Sequence, residues 1–171
     1  VTGGMHGADR IGGLSTANGL VFGGKAGSSA VAACTAVQEP PKTCLFKAVA
    51  AADCRKVFAD LQDPMFHHAM VERDEAGLSA ALERVKGLSS ALILTPTDNV
   101  DEIARTRRRA GQLCTAQCIL KAALMRRESR GAHYRADHPC EKPAMARPIC
   151  VTCQGGAIQA RFIEEETTPC L

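Results

Sequence analysis

Tryptophan is absent from the 171 residues, tyrosine occurs once, and aromatic residues together make up 4%. The basic run Arg105, Arg107, Arg108 and Arg109 therefore has no interleaved rings on which bases could stack. These arginines spread around a helix, and Asp98, Asp101 and Glu102 precede them as helical pairing partners. A formal net charge of +3 adds too little field to hold a nucleic acid, so none is expected as a partner. No G-x-G-x-x-G occurs, which removes the fingerprint of a complete dinucleotide fold. The near miss for a phosphate loop, Gly19 to Ala26, ends on Ala26, without the hydroxyl that would bind magnesium. No apolar run approaches the roughly 20 residues that cross a bilayer, so no direct membrane insertion is expected. No basic start followed by an apolar stretch marks a secretory signal. Internal repeats and low-complexity tracts are lacking as well.

What remains is 46% hydrophobic and 23% charged, the balance of a soluble globular protein. The length fits one domain or one and a fraction. Val1 stands where an initiator Met would, which points to a processed or excised piece. Nine cysteines are an odd number at irregular spacing, several in helical or apolar surroundings. That fits reduced thiols in a cytoplasmic protein better than a disulfide framework. Cys150 and Cys153 have C-x-x-C spacing, and Cys114 and Cys118 are one helical turn apart. In a strand, however, Cys150 and Cys153 face opposite sides, and there is no second C-x-x-C. No metal site is expected.

The stretch Val1 to Gly27, VTGGMHGADRIGGLSTANGLVFGGKAG, concentrates glycine around one arginine, a histidine and a hydroxyl pair. Glycine lets backbone approach a ligand closely. A following helix aims its unpaired N–H groups at that ligand, so the stretch reads as an anion or cofactor site at a helix start. The helix is expected from near Ser15 to about Val37, capped by Ser15 or Thr16 and ended by Pro40-Pro41. Gly19, Gly23 and Gly27 share one face, and each costs about 1 kcal/mol relative to Ala. Close packing of another backbone on that face would offset the cost.

Thr43 to Met70 reads as helix in at least two pieces, with Leu45, Val49, Ala52, Val57 and Leu61 as the apolar stripe. Asp63-Pro64 reads as an N-cap followed by proline at the first helical position. His67-His68 reads as a surface pair, because adjacent residues on a helix chelate poorly. Asp74 to Ile93 is an amphipathic helix on Leu78, Leu82, Val85, Leu88 and Leu92. Thr97 or Asp98 then caps the longest helix, from about Asn99 to Arg127. Its inward stripe is Val100, Ile103, Ala110, Leu113, Gln117, Leu120 and Leu124. Short connections favour antiparallel neighbours. The expected fold is mainly α: a small antiparallel helical bundle, a glycine-rich N-terminal segment leading into a helix, and a short C-terminal β-hairpin. The hairpin strands are Ile149–Cys153 and Ala157–Ile163, turned at Gln154-Gly155-Gly156. Between bundle and hairpin, Glu128, Arg130, His133, Arg135 and Asp137 alternate in charge. A docking network of ion pairs explains them better than catalysis.

Three blocks carry a resemblance. HGADRIGGLSTANGLVFGGKAG, VERDEAGLSAALERV from Val71, and ESRGAHYRADHP from Glu128 resemble, in this order, segments of the fumarate reductase/succinate dehydrogenase flavoproteins. Their relatives include L-aspartate oxidase. Where the family usually has Asn before the arginine and Asn before the serine, this chain has Asp9 and Leu14.

The resemblance implies that Arg10 clamps a carboxylate of a C4 dicarboxylate substrate, with His6 as a second substrate contact. It implies that Ser15 and Thr16 contact the flavin of FAD, held in the full-length parent. Residues 1–40 would be the C-terminal remnant of an FAD-binding domain, 41–139 a helical bundle domain, and 140–171 a tail with the hairpin. The upstream FAD-binding and capping domains, which would supply the proton donor, are then partners in the same protein, and an iron–sulfur subunit is a further candidate. No catalytic residue is expected in this chain, which would be inactive by itself. A cytoplasmic location follows, peripheral to the inner membrane face if a partner holds it there. Two other classes remain: a non-catalytic helical interaction module docking on a redox partner subunit, and a zinc-stabilised binding domain.

Overall fold

The computed structural model describes residues 14–34, 49–51, 53–154 and 157–163. The chain divides into two compact units, Val1–Phe46 and Lys47–Leu171.

The described part of the first unit is helix α1 (Leu14–Ala33), 20 residues long. Ser15 and Thr16 lie inside its first turn instead of capping it. The helix also stops short of Val37. Cys34 N–H donates to Val31 O at 3.2 Å, three residues back, so the last turn tightens and closes there. Val37, Pro40 and Pro41 lie outside the described residues. Among the described residues, a Cβ at Gly19, Gly23, Gly24 or Gly27 would meet nothing within 4 Å. The expected backbone packing on that face is absent among the described residues.

The second unit runs β1 (Val49–Ala51), α2 (Cys54–Ala69), β2 (Glu72–Arg73), α3 (Glu75–Ser90), β3 (Leu94–Pro96) and α4 (Val100–Met125). After these come β4 (Tyr134–Arg135), a 3-10 turn (Pro143–Met145), β5 (Ile149–Gln154) and β6 (Ala157–Phe162). It is mainly α, an antiparallel bundle with a C-terminal hairpin. Leu61 and Ala69 of α2, Leu78, Leu82 and Val85 of α3, and Leu113 and Leu120 of α4 close one core. Val57, Leu88 and Leu92 pack at its margin. The hairpin β5–β6 is antiparallel with Cys153 opposite Ile158. It lies on α4 through buried Ile158, whose carbonyl accepts from Lys121 Nζ.

Several local expectations need correction. Val49 lies in a strand: β1 pairs antiparallel with β3, and Ala51 N donates to Thr106 Oγ1 at 2.8 Å. Leu45 and Ala52 fall outside the described residues. Asp63-Pro64 does not start a helix. Pro64 is fully buried inside α2, which begins ten residues earlier at Cys54, while Asp63 turns outward to Arg84 at 2.7 Å. The cap of α4 is Asn99, whose side chain accepts from Asp101 and Glu102 N–H; Thr97 instead accepts from Asn99 N–H at 3.2 Å. The stripe of α4 also shifts. Val100 and Ala110 are exposed, while Thr106, Ala116 and Ala123 are buried.

Candidate functional site

The loop after α4 is built from charge, yet Glu128 and Arg135 have no exposed surface. Burial of a charge is tolerated only when partners replace water. Glu128 has four. Its carboxylate accepts from Arg126 Nη1 at 2.7 Å, Arg130 Nε at 2.9 Å and Nη2 at 3.1 Å, and Lys142 N at 2.6 Å. The Arg130 hydrogen bonds chiefly hold its carboxyl down to about 2, against the opposing effect of burial.

Arg135 forks onto Asp137, Nε to Oδ1 at 2.7 Å and Nη2 to Oδ2 at 2.6 Å. Its remaining Nη1 donates to Ala123 O at 2.9 Å, one of the carbonyls left open at the end of α4. Asp137 Oδ2 in turn accepts from Glu75 N at 2.9 Å, in the first turn of α3. The Arg135 guanidinium thus holds the Asp137 carboxyl well below the usual carboxylate range. One ion pair joins the end of α4 to the start of α3. Asp74 completes that start by accepting from Gly77 N at 2.6 Å.

Other arginines repeat the device. Arg73 donates to Ala69 O at 3.0 Å and Met70 O at 2.7 Å, closing the end of α2, and to Ala132 O at 3.3 Å. Arg126 reaches Met145 O and Arg147 O at 2.6 and 2.7 Å, tying down the segment before the hairpin. The turn Arg130–His133 is closed by paired backbone hydrogen bonds of 2.8 and 3.0 Å, with Gly131 at φ 56°. A side chain is disfavoured at that angle, which gives the glycine its reason. His133 is half-buried with Nε2 at 3.2 Å from Arg126 O; burial pushes its pKa down, and the nearby Arg73, Arg126 and Arg135 charges add to that.

This arrangement positions helices: the Glu128 and Asp137 carboxylates are both taken up by arginines and backbone N–H groups. Glu75, Asp137 and His138 have metal-like spacing, but both Asp137 oxygens are engaged and Glu75 pairs with Arg127 at 3.2 Å. Of the residues assigned to ligands from the sequence, His6 and Arg10 lie outside the described residues. Ser15 and Thr16 sit together and exposed in the first turn of α1, and no acidic residue stands beside them in that turn. His67 is exposed, 3.6 Å from Asp63, and His68 is half-buried beside Gly77. The network extends beyond the alternating charges of the loop: Arg73, Arg126 and the backbone of Glu75 and Lys142 complete it. Nothing in a lone arginine's spacing marks it as a helix cap.

A family model for the fumarate reductase flavoprotein C-terminus matches residues 58–147, over half of the chain and all of this network. The chain belongs to that family. Within this family of flavoprotein C-terminal domains, the L-aspartate oxidase of Mycobacterium tuberculosis is 33% identical over 155 residues, covering 86% of this chain and 27% of the relative. An FAD-dependent oxidoreductase of Methanocaldococcus jannaschii is 31% identical over 156 residues, covering 81% and 28%. The solved Mycobacterium smegmatis Sdh1 complex with UQ1 aligns with a TM-score of 0.73 at 27% identity, covering 99% of this chain and 32% of that one. The chain thus spans about a quarter to a third of the length of these proteins. Among the described residues, no helix is long and apolar enough to cross a membrane.

Proposed function

We propose that this chain is the C-terminal part of an FAD-dependent oxidoreductase that moves hydride between flavin and a C4 dicarboxylate, and that it is inactive by itself. The observation that carries the reading is the position of Ser15 and Thr16. They stand exposed in the first turn of a 20-residue helix, directly after the segment holding His6 and Arg10, with no acidic side chain in that turn. Free N–H groups and the helix dipole there favour a negative partner. FAD, when bound, exchanges hydride at N5 and gathers negative charge around N1 and the C2 carbonyl. The α1 start and its two hydroxyls fit that charge. Leu14 replaces the polar residue usual beside them, so backbone N–H groups carry more of the contact here.

Arg10 would hold a substrate carboxylate bidentately and so orient the reacting carbon, with His6 adding a hydrogen bond. Residues 1–40 then complete an FAD-binding domain supplied upstream, residues 41–139 form the bundle domain, and 140–171 the tail. The capping domain would provide the proton donor, and an iron–sulfur subunit would take up or deliver electrons. The coverage of the relatives, near 30% of their length, supports a larger parent. A second reading, a helical module docking on a redox partner, draws on an open apolar cleft of about 480 Å³ between α2 and α4, lined by Phe58, Met65 and Ile119.

The test joins this chain to the upstream part of its parent. Arg10→Ala should retain FAD while kcat/KM for a C4 dicarboxylate falls roughly 100-fold, the equivalent of about 3 kcal/mol for a charge-assisted pair. Unchanged kcat/KM would sink the clamp. A well-folded parent with no flavin would favour the docking module.

A further inference from the structure

Three thiols meet where the hairpin lies on α4. Cys114 and Cys118 are one helical turn apart and share a face. The hairpin brings the third. Residues directly opposite across an antiparallel pair point to the same side, and Cys153 is opposite Ile158. Ile158 is buried against α4, so Cys153 faces α4 as well. Cys150, three positions earlier, points to the other side with Arg161. That removes the four-thiol zinc site considered from spacing alone.

Cys114 and Cys153 line a single cleft of about 220 Å³, walled by Leu92, Leu113, Gln117 and Ile158. Both are exposed, whereas Cys118 is half-buried. Burial pushes the Cys118 thiol up, and the Cys114 and Cys153 sulfurs push it the same way, against Lys121. Cys114 and Cys153 are thus the accessible pair, sharing one cleft. No three of the described cysteines share the close spacing of a preformed metal site.

We infer that Cys114 and Cys153 form a reversible disulfide, stapling the hairpin to α4, when the chain meets a small disulfide oxidant. The Cys153 thiolate attacks one sulfur of the oxidant, forming a mixed disulfide and expelling one small thiolate. The Cys114 thiolate then attacks Cys153 Sγ, forms the protein disulfide and expels the second small thiolate. Two protein thiols lose two electrons, the oxidant gains them, and both thiol protons end on the released thiols. Cys118 holds less thiolate than an unburied thiol, which makes it the poorer attacker.

The test exposes the full chain to oxidised glutathione, then reads intact mass and alkylatable thiols. Cys114→Ser, Cys118→Ser and Cys153→Ser variants are compared, with circular dichroism confirming that each keeps its helices. The wild-type chain and Cys118→Ser should lose two hydrogens and two alkylatable thiols, both restored by dithiothreitol. Cys114→Ser and Cys153→Ser should carry a glutathione adduct without a protein disulfide. A wild-type chain that takes adducts only would overturn the inference. So would a disulfide that survives in Cys114→Ser or Cys153→Ser.

Discussion

Glu128 has no exposed surface, and Arg126 and Arg130 both pair with its carboxylate. Removing one partner of a buried pair leaves the others uncompensated, at a cost of several kcal/mol. Glu128→Gln should lower unfolding stability by about 3 kcal/mol in urea titration, with the slope unchanged. The pH dependence has a definite sign. The Glu128 carboxyl falls from its ordinary 4.5 to about 2 in the folded chain, so the unfolded chain binds the proton first. Its contribution, roughly 3 kcal/mol, is complete above pH 4.5 and is lost as pH falls from there through 2. His133 acts in a higher window. Its pKa is lowered on folding, so stability is complete above the ordinary histidine value of 6.5 and declines as pH falls below it. Stability measured against pH should show both losses, with His133→Gln removing the upper and Glu128→Gln reducing the lower to the share that Asp137 carries. A profile unmoved in Glu128→Gln would mean that another carboxylate governs acid unfolding.

Helix ends and a proline decide how the elements hold. Asp74 and Asn99 each satisfy N–H groups at an exposed helix start, so Asp74→Ala and Asn99→Ala should each cost about 1 kcal/mol. Pro64 pulls the other way. Proline inside a helix costs about 3 kcal/mol relative to alanine, while the two ring methylenes lost in Pro64→Ala forfeit about 1.6 kcal/mol of burial. The first effect wins, and Pro64→Ala should raise the thermal midpoint by a few degrees. Much of this level was legible in the sequence. Leu78, Leu82 and Val85 recur at helical spacing, and a Gly-Gly pair separates two β-branched runs, so α3 and the hairpin stand where expected. Other parts were not. β1 is three residues of an alanine-rich stretch that favours helix by propensity; pairing with β3 overrides it. Thr106 is buried where α4 meets β1, while Ala116 and Ala123 share the core stripe of Leu113 and Leu120 without being strongly hydrophobic. The candidate site shows the same limit. The charge alternation from Glu128 to Asp137 announces a network, but not that Arg73 and Arg126 complete it across long sequence distances.

The chain spans about a third or less of the length of the relatives described above, and the proposed flavin contacts sit at one end of it. Alone, it should bind FAD weakly in equilibrium dialysis, and addition of the upstream part should raise affinity by orders of magnitude. Tight binding by the chain alone would show that residues 1–40 hold more of the site than proposed. The ion pair between Arg135 and Asp137 carries a kinetic consequence. Asp137 reaches Glu75 across 62 residues, whereas the contacts between α3 and α4 need only the short β3 connection. Loops close in order of length, so the helices pair early and the clip forms after the folding barrier. Asp137→Asn should therefore leave the refolding rate nearly unchanged and speed unfolding, by roughly 100-fold for a loss of about 3 kcal/mol. The loop after α4 then acts as a latch that sets how long the folded bundle lasts, not how fast it is made.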